Sequence, residues 1–301
     1  MSLYSLTTPI AHSRTTVPIL DKHGTLVALL SGSPNDPRWL EDVNDELDAA
    51  LQVAKHAYQP PATYKANRRG PFETTNSGIS IGGGQPRPGN LALNPHNRAL
   101  WTALLKLKAL RRVANFANST SHVFAPDMFD LYDTTLDDIC QRDTSLKRNY
   151  ADNVFASASI NFGPRATAYV HTDHLNLAYG WCAITAIGKF DPRRGGHLIL
   201  WDLRLIIEFP PGSTILIPSA ILRHSNAPLA DEENERRSAF LQYSAGGLFR
   251  WVECEHQSQK SFFASGRKYT QTGKERWKRG VGVFSKWEDL KTRIRPRPAS
   301  S

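Results

Sequence analysis

Residues 182–218, CAITAIGKFDPRRGGHLILWDLRLIIEFPPGSTILIP, decide the fold. Short runs of apolar and β-branched residues alternate there with turn signals such as Asp191-Pro-Arg-Arg-Gly-Gly196 and Pro210-Pro-Gly-Ser213. Runs of this kind predict strands. The region after Tyr150 contains these runs: Asn153–Phe162, Thr167–Thr172, Cys182–Phe190, His197–Asp202, Leu205–Phe209, Thr214–Pro218 and Ser238–Tyr243. About seven or eight short strands at this spacing predict a double-sheet jelly roll, the double-stranded β-helix.

The sequence before Tyr150 has a helical pattern instead. Residues 17–30 predict a hairpin, and Asp36-Pro37 predicts the start of a helix that ends before Pro60-Pro61. The apolar face of this helix comprises Leu40, Val43, Leu47, Leu51 and Ala54. Two further helices are predicted at Asn94–Ala117 and Pro126–Arg142. Helices followed by strands indicate an α+β fold. We expect three parts: supporting elements in 1–150, the jelly-roll core in 151–255 and a basic C-terminal extension in 256–301.

The net charge of +9 is concentrated near the C-terminus. Residues 260–297 contain twelve basic and three acidic side chains, so the rest of the chain is balanced. Such a segment suits a polyanion such as nucleic acid, but it is also typical of a solvated tail or of a nuclear-import signal, here at 274–279.

Several classes of protein are disfavoured by the composition. No apolar run approaches the ~20 residues that cross a membrane, and residues 1–30 do not resemble a signal peptide. Three scattered cysteines do not form a disulfide scaffold or a thiolate-based zinc site. We therefore expect an intracellular protein that does not bind membranes.

One set of candidate metal ligands lies within the strand-rich region. His171 and Asp173 are two residues apart, so their side chains project from the same face of an extended chain. His224 follows the run that ends at Pro218. Two histidines and one carboxylate form the facial triad that holds Fe(II) and leaves positions open for other ligands. The short strands between Asp173 and His224 allow the chain to return to the same end of a barrel.

A basic residue is correctly spaced to bind an acidic cosubstrate. Arg237 lies thirteen positions after His224, at the start of the last predicted strand. A guanidinium there can bind the distal carboxylate of 2-oxoglutarate with two hydrogen bonds. The neighbouring Arg236 is the alternative.

From about Asn153 to Trp251, the sequence resembles the TET/JBP family of Fe(II)- and 2-oxoglutarate-dependent nucleic-acid base oxygenases, and most of all its compact fungal members. The matching stretches are the HxD pair, 195–202 (GGHLILWD) and 208–218 (EFPPGSTILIP). His224 and Arg237 complete the match. The resemblance implies that His171, Asp173 and His224 are catalytic iron ligands. It also implies that Arg237, in phase with Tyr243 on the family's last strand, binds 2-oxoglutarate.

The resemblance also implies residues that contact the substrate. Asn176 stands where the family places a polar side chain against the edge of the target base, and Tyr243 stands where a tyrosine stacks on it. The Gly82–Asn90 loop resembles a segment of the fungal proteins, in which Gln85, Arg87 and Asn90 would supply hydrogen-bond donors. Structural roles remain open for all of these residues: a turn cap for Asn176, a core position for Tyr243 and a flexible linker for the loop.

The activity implied is oxidation of a methyl group on a base extruded from DNA, with Fe(II), 2-oxoglutarate and O2. The expected substrate is 5-methylcytosine, giving hydroxymethyl-, formyl- and carboxylcytosine. The alternative is demethylation of N6-methyladenine. A 2-oxoglutarate oxygenase of proteins or small molecules, and a non-catalytic DNA-binding protein, are further alternatives. We expect a nuclear monomer that acts on methylated duplex DNA by base flipping, without an obligate protein partner.

Overall fold

Two antiparallel β-sheets form the centre of the computed structural model, which describes residues 15–61, 67–82 and 84–294. The larger sheet has eight strands in the order β1-β2-β9-β6-β11-β5-β3-β4, and the smaller has the order β10-β7-β8. The strands are β1 Val17–Leu20, β2 Leu26–Gly32, β3 Thr74–Ser80, β4 Gly89–Asn90, β5 Ser157–Asn161, β6 Cys182–Lys189, β7 Leu198–Leu200, β8 Leu205–Ile207, β9 Thr214–Ile217, β10 His224–Asn226 and β11 Arg236–Tyr243. The predicted α+β jelly-roll class is confirmed.

Apolar side chains fill the space between the two sheets. Ile184 and Ile217 from the large sheet meet Leu198 and Leu200 from the small sheet, and Phe209 lies after β8 in the same cluster. Alternate residues of a strand face opposite sides, so each strand of the large sheet also presents a second apolar face. That second face is covered by helices.

The eight α-helices of the described residues are α1 Glu46–Ala57, α2 Pro95–Lys106, α3 Lys108–Phe124, α4 Pro126–Arg142, α5 Gly246–Glu253, α6 Gln259–Ala264, α7 Gly273–Val281 and α8 Trp287–Ile294. Six of these, α1 to α5 and α8, share buried clusters with the outer face of the large sheet. A π-helical segment, Leu40–Asp45, leads directly into α1. Leu47 and Leu51 of α1 share a buried cluster with Ile160 and Phe240 of the sheet. Leu40, expected on the buried face, is instead 40% exposed.

The helix predicted over Asn94–Ala117 is interrupted. Leu107 has an extended backbone, with ψ of 128°, and separates α2 from α3. An unbroken helix that buries Trp101 and Leu104 would turn Lys108 and Arg111 toward the same face. The break shifts the register, so that both of these charged residues remain exposed while the apolar residues of α3 are buried.

The strands also differ from the prediction in two places. Thr167–Thr172 forms no regular strand and makes a single isolated bridge, between His171 and His224. The region 62–90, which lacks a helical period, contributes β3 and β4, which extend the large sheet beyond β5. Within it, 62–66 and Gly83 lie outside the described residues. The large sheet thus joins strands from both sides of residue 150.

The basic C-terminal extension is folded through residue 294. Leu290 of α8 is 1% exposed and packs in the same cluster as Leu26 of β2. Two backbone hydrogen bonds, from Leu26 N to Ser285 O and from Trp287 N to Gly24 O, join the segment to the first hairpin. Arg295 and Arg297 lie outside the described residues. Among the helices described, none has both the length and the apolar character that a membrane span needs.

Candidate metal centre

A paired backbone contact brings two distant segments together at one end of the jelly roll. His171 N donates to His224 O and His224 N donates to His171 O, both at 3.0 Å. Asp173 N then donates to Ser219 O at 2.8 Å. The turn after β9 is thereby held against the HxD segment, and side chains 53 positions apart in sequence face one another.

The three predicted ligands form one cluster. One donor atom from each of His171, Asp173 and His224 lies within 4.8 Å of the others. The Nε2 atoms of His171 and His224 are 3.8 Å and 3.9 Å from the Asp173 carboxylate oxygens. Asp173 and His224 are buried, at 6% and 4% exposure. Among the described residues this is the one group of three or more such side chains placed to hold a metal ion.

Backbone carbonyls orient both imidazoles in the same way. His171 Nδ1 lies 2.7 Å from Tyr169 O, and His224 Nδ1 lies 2.9 Å from Leu222 O. A carbonyl only accepts, so each Nδ1 carries the proton and each Nε2 presents its lone pair to the centre of the cluster. Burial, and then the neighbouring His224, lower the pKa of His171 to about 4. His171 is therefore neutral at physiological pH, the form that binds metals.

The cluster fits Fe(II) in both chemistry and hydrogen bonding. Arg69 Nη2 lies 2.8 Å from Asp173 Oδ1, but the contact does not have hydrogen-bond geometry, and Oδ1 is a buried acceptor without a hydrogen-bond partner. Buried polar atoms are normally satisfied, so this atom is suited to a cation. Two imidazoles and one carboxylate are the donor set of non-haem Fe(II) sites. Arg69 lies in a loop about a hundred residues earlier in the chain, and no motif in the sequence indicated that it approaches Asp173.

Arg237 is a buried cation in the inter-sheet space. It is 2% exposed, donates from Nη1 to Ala166 O, and leaves Nε without a partner. Its guanidinium lies 5.4 Å from the centre of the Phe209 ring. Burial lowers the pKa of Arg237 to about 10, so it remains charged at neutral pH. No carboxylate of the described residues pairs with it, so an anionic ligand can bind there. The predicted cofactors, Fe(II) and 2-oxoglutarate, fit this combination of ligand cluster and free guanidinium.

Arg236, the alternative for the carboxylate contact, points to the opposite side of β11. It makes a bidentate ion pair with Asp48 of α1, with its Nε and Nη2 at 2.8 Å and 2.5 Å from Oδ2. This guanidinium is engaged in joining α1 to the sheet. Arg237 is the one of the two that faces the core between the sheets.

Two predicted substrate residues lie beside the cluster. Asn176 Nδ2 donates to Ser219 Oγ at 3.2 Å, and Ser219 O also accepts the Asp173 amide, so Asn176 is tied to the metal site. Tyr243 shares the β11 face of Arg237, and its hydroxyl is 3.4 Å from Ser159 Oγ. Burial raises the pKa of Tyr243. Among its charged neighbours, Asp173 also raises this pKa and Arg69 lowers it. Its phenol is therefore neutral and lies within electrostatic reach of the site.

The predicted residues of the Gly/Pro loop are exposed and contact none of the ligands. Gln85 lines a cavity of about 230 Å³ beside Trp251, and Arg87 lines another of about 360 Å³ beside His256. The Asn90 amide is engaged on both sides, donating to Ser145 O and accepting from Lys147 N, each at 2.9 Å. Asn90 therefore joins β4 to the loop after α4. Roles for Gln85, Arg87 and Asn90 in substrate binding stay a prediction.

Comparisons with known proteins give likenesses of fold only. No protein-family model matches the chain, and no curated protein matches it. NgTET1, solved in complex with 5mC DNA, is 15% identical, with 87% of this chain and 91% of that chain covered and a TM-score of 0.46. A 2OG-Fe(II) oxygenase from Burkholderia pseudomallei is 17% identical over 65% and 75% of the two chains, with a TM-score of 0.35. A Pseudomonas putida prolyl-4-hydroxylase is 15% identical over 74% and 92%, with a TM-score of 0.34.

These structures include a TET protein, a 2OG-Fe(II) oxygenase and a prolyl-4-hydroxylase. Likenesses at such low identities and TM-scores say nothing about the substrate or activity of this chain. The finer resemblance to compact fungal members stays a prediction.

Removal of the Asp173 carboxylate should greatly weaken metal binding. We expect Asp173→Ala to reduce the affinity for Fe(II), measured by anaerobic calorimetry, by about a hundredfold or more. Loss of a group that only supports a metal ligand reduces metal affinity by up to about a hundredfold, and Asp173 is itself a candidate ligand. The matched control is His174→Ala, next in sequence but exposed and outside the cluster. Equal Fe(II) affinity in Asp173→Ala and wild type would contradict the assignment.

Replacement of the buried guanidinium should weaken 2-oxoglutarate binding while the metal site stays intact. Arg237→Lys is expected to raise the Kd for 2-oxoglutarate by about tenfold or more, because a bidentate charged contact becomes a single one. Arg236→Lys is the control: it should lower stability through Asp48 and leave this Kd unchanged. The Kd is measured by calorimetry on the Fe(II)-loaded protein, and the reverse pattern would assign Arg236 instead.

Proposed function

We propose that this chain is an Fe(II)- and 2-oxoglutarate-dependent dioxygenase that oxidises the methyl group of a base in DNA, with 5-methylcytosine as the first substrate. The observation that carries the enzymatic part is the joint presence of the His171, Asp173 and His224 cluster and the unpaired, buried Arg237. Bound Fe(II), 2-oxoglutarate and O2 supply the oxidation of C–H to C–OH, with 2-oxoglutarate converted to succinate and CO2. The protein supplies orientation, charge and exclusion of water.

The side chains beside the cluster suit a flipped base. The Asn176 amide nitrogen is held by Ser219 Oγ, while its Oδ1 accepts no hydrogen bond from the described residues. An amide oxygen fixed in this way can accept from the exocyclic amino group of cytosine. Tyr243 presents an aromatic ring on the same side of β11 as Arg237, and a ring there can replace part of the stacking that the base gives up. A methyl group inside a duplex is otherwise out of reach, so the base must be extruded.

N6-methyladenine is the alternative substrate, and the same contact favours it. Its exocyclic nitrogen carries a hydrogen that Asn176 Oδ1 can accept, and hydroxylation of its methyl group would release formaldehyde. Both bases therefore satisfy the polar contact, and they differ in where the methyl group lies relative to it.

The exposed face of α7 supports nucleic acid as the partner. Lys274, Trp277 and Lys278 lie on one side of this helix, and Trp277 is 48% exposed. The opposite side is docked: Arg279 pairs with Glu253, and a Cβ on Gly280 would lie 2.3 Å from Tyr179 Cδ1. Cations on either side of an exposed aromatic ring suit phosphates and bases. A nuclear site of action is part of this proposal.

Incubation with a panel of modified substrates tests the function directly. With Fe(II), 2-oxoglutarate and O2, we expect mass spectrometry to detect hydroxymethyl-, formyl- and carboxylcytosine from a 5-methylcytosine duplex, and no product with Asp173→Ala, which should retain DNA affinity. The other arms are an N6-methyladenine duplex, methylated single strands and methylated peptides. Products from the peptides alone would identify a protein oxygenase, and DNA binding without Fe(II) or 2-oxoglutarate binding would indicate a non-catalytic protein.

The α7 lysines should account for part of the salt dependence of DNA binding. Removal of one lysine–phosphate interaction makes the slope of log K against log salt shallower by about 0.9, so Lys274→Ala/Lys278→Ala should reduce it by up to about 2. The control is Lys106→Ala/Lys108→Ala, two exposed lysines at the α2–α3 junction. Substitution of these lysines is a better test than truncation of the chain after Tyr269, because truncation would also remove the buried Leu290. An unchanged slope would exclude this helix face as a phosphate-binding surface.

A further inference from the structure

Exposed apolar side chains surround the candidate metal centre. The structure describes eleven large hydrophobic residues as exposed, and four of them lie within three positions of a metal ligand. We call these four the apolar rim: Tyr169, Val170, Leu175 and Ile221, exposed by 62%, 52%, 59% and 46%. The concentration of exposed apolar surface at the one metal cluster found in the described chain points to a contact surface rather than to scattered surface residues.

Two members of the rim, Leu175 and Ile221, lie on turns that are fixed to the ligands. Leu175 is between the ligand Asp173 and Asn176, and Ile221 is three residues before the ligand His224. Ser219 joins the two turns, because its carbonyl accepts from Asp173 N at 2.8 Å and its hydroxyl accepts from Asn176 Nδ2 at 3.2 Å. Leu175 and Ile221 therefore project from neighbouring turns that move with the metal site.

We propose that Leu175 and Ile221 form a wedge that fills the gap in a DNA duplex when the methylated base leaves the stack. Apolar side chains that enter a base step keep the neighbouring bases apart and reduce the cost of extrusion. Leu175 is adjacent to Asn176, so a base held by that amide lies close to the wedge. This inference rests on the proposed function for the identity of the base.

The charges nearby favour DNA over a peptide as the occupant of the rim. Leu175 is four residues from Tyr179, against which α7 packs through Gly280. Helix α7 carries Lys274 and Lys278 on its exposed side, so a cationic helix packs on the segment that also carries Leu175. Arg69, which is 37% exposed, adds a further positive charge beside Asp173. An apolar surface bordered by cations matches a stack of bases with phosphates on its outside.

The test compares duplexes that differ in the cost of extrusion. The variant is Leu175→Ser/Ile221→Ser, and the control is Val53→Ser, which removes an exposed aliphatic side chain (71%) from α1. One duplex pairs 5-methylcytosine with guanine, and the other places it opposite an abasic site. We expect kcat/KM on the paired duplex to fall by about tenfold, or about 1.4 kcal/mol, and activity on the unpaired duplex to stay at the wild-type value.

A second measurement separates this inference from the proposed activity. With 2-aminopurine at the target position, binding of the wild-type protein should raise fluorescence as the base unstacks, and the wedge variant should raise it less at saturating protein. If the variant raises the fluorescence less than the wild-type protein does but no oxidised base is formed, the proposed oxidation is wrong and the wedge stands; an equal rise with both proteins would overturn the wedge. Equal decreases in kcat/KM on both duplexes, an unchanged kcat/KM, or no rise in fluorescence with the wild-type protein would overturn the wedge.

Discussion

The reciprocal backbone pair between His171 and His224 is the constraint on which the candidate site depends. These two hydrogen bonds join a segment that forms no regular strand to the short strand β10, and they place both imidazoles on one side. The ring centres are 4.3 Å apart. Neutral imidazoles tolerate this proximity, whereas two imidazolium ions would repel. Burial, and then the neighbouring His224, lower the pKa of His171 and so favour its neutral form. The backbone pair therefore brings the two histidine ligands together.

The two arginines at the start of β11 face opposite sides of the large sheet and make different contacts. Arg236 faces outward, where Asp48 neutralises it and joins a helix to the sheet. Arg237 faces inward, where no carboxylate of the described residues neutralises it. A buried charge without a partner is costly, and that cost is recovered when an anion binds. The strand thus stabilises the fold with one guanidinium and leaves the adjacent one available to a ligand, a difference set by the alternation of side chains along the strand.

Much of this arrangement could be predicted from local sequence. Six of the seven strands predicted after Tyr150, the first hairpin and helix α4 follow from apolar runs and turn residues, and helix α4 begins and ends as predicted. The prediction of a strand at Thr167–Thr172 was wrong, and β10 was not predicted. The HxD pair and His224 could be grouped because one known donor set requires them. Local patterns could not place Arg69, whose approach to Asp173 depends on tertiary structure. Nor could they show the break at Leu107, which is decided by which residues of α3 the sheet buries.

In the C-terminal segment, the fixed position of the basic side chains matters more than their net charge. A flexible basic tail would raise affinity for any polyanion without fixing where the polymer lies. Here Gly280 allows α7 to approach Tyr179 more closely than any side chain would permit, while α8 is anchored to the first hairpin. Tyr179 belongs to the segment that carries Asp173 and Asn176. The cationic face of α7 is therefore held at a fixed position relative to the metal ligands. If the substrate is a polymer, only such a fixed position allows contacts with its phosphates to determine which base reaches the site.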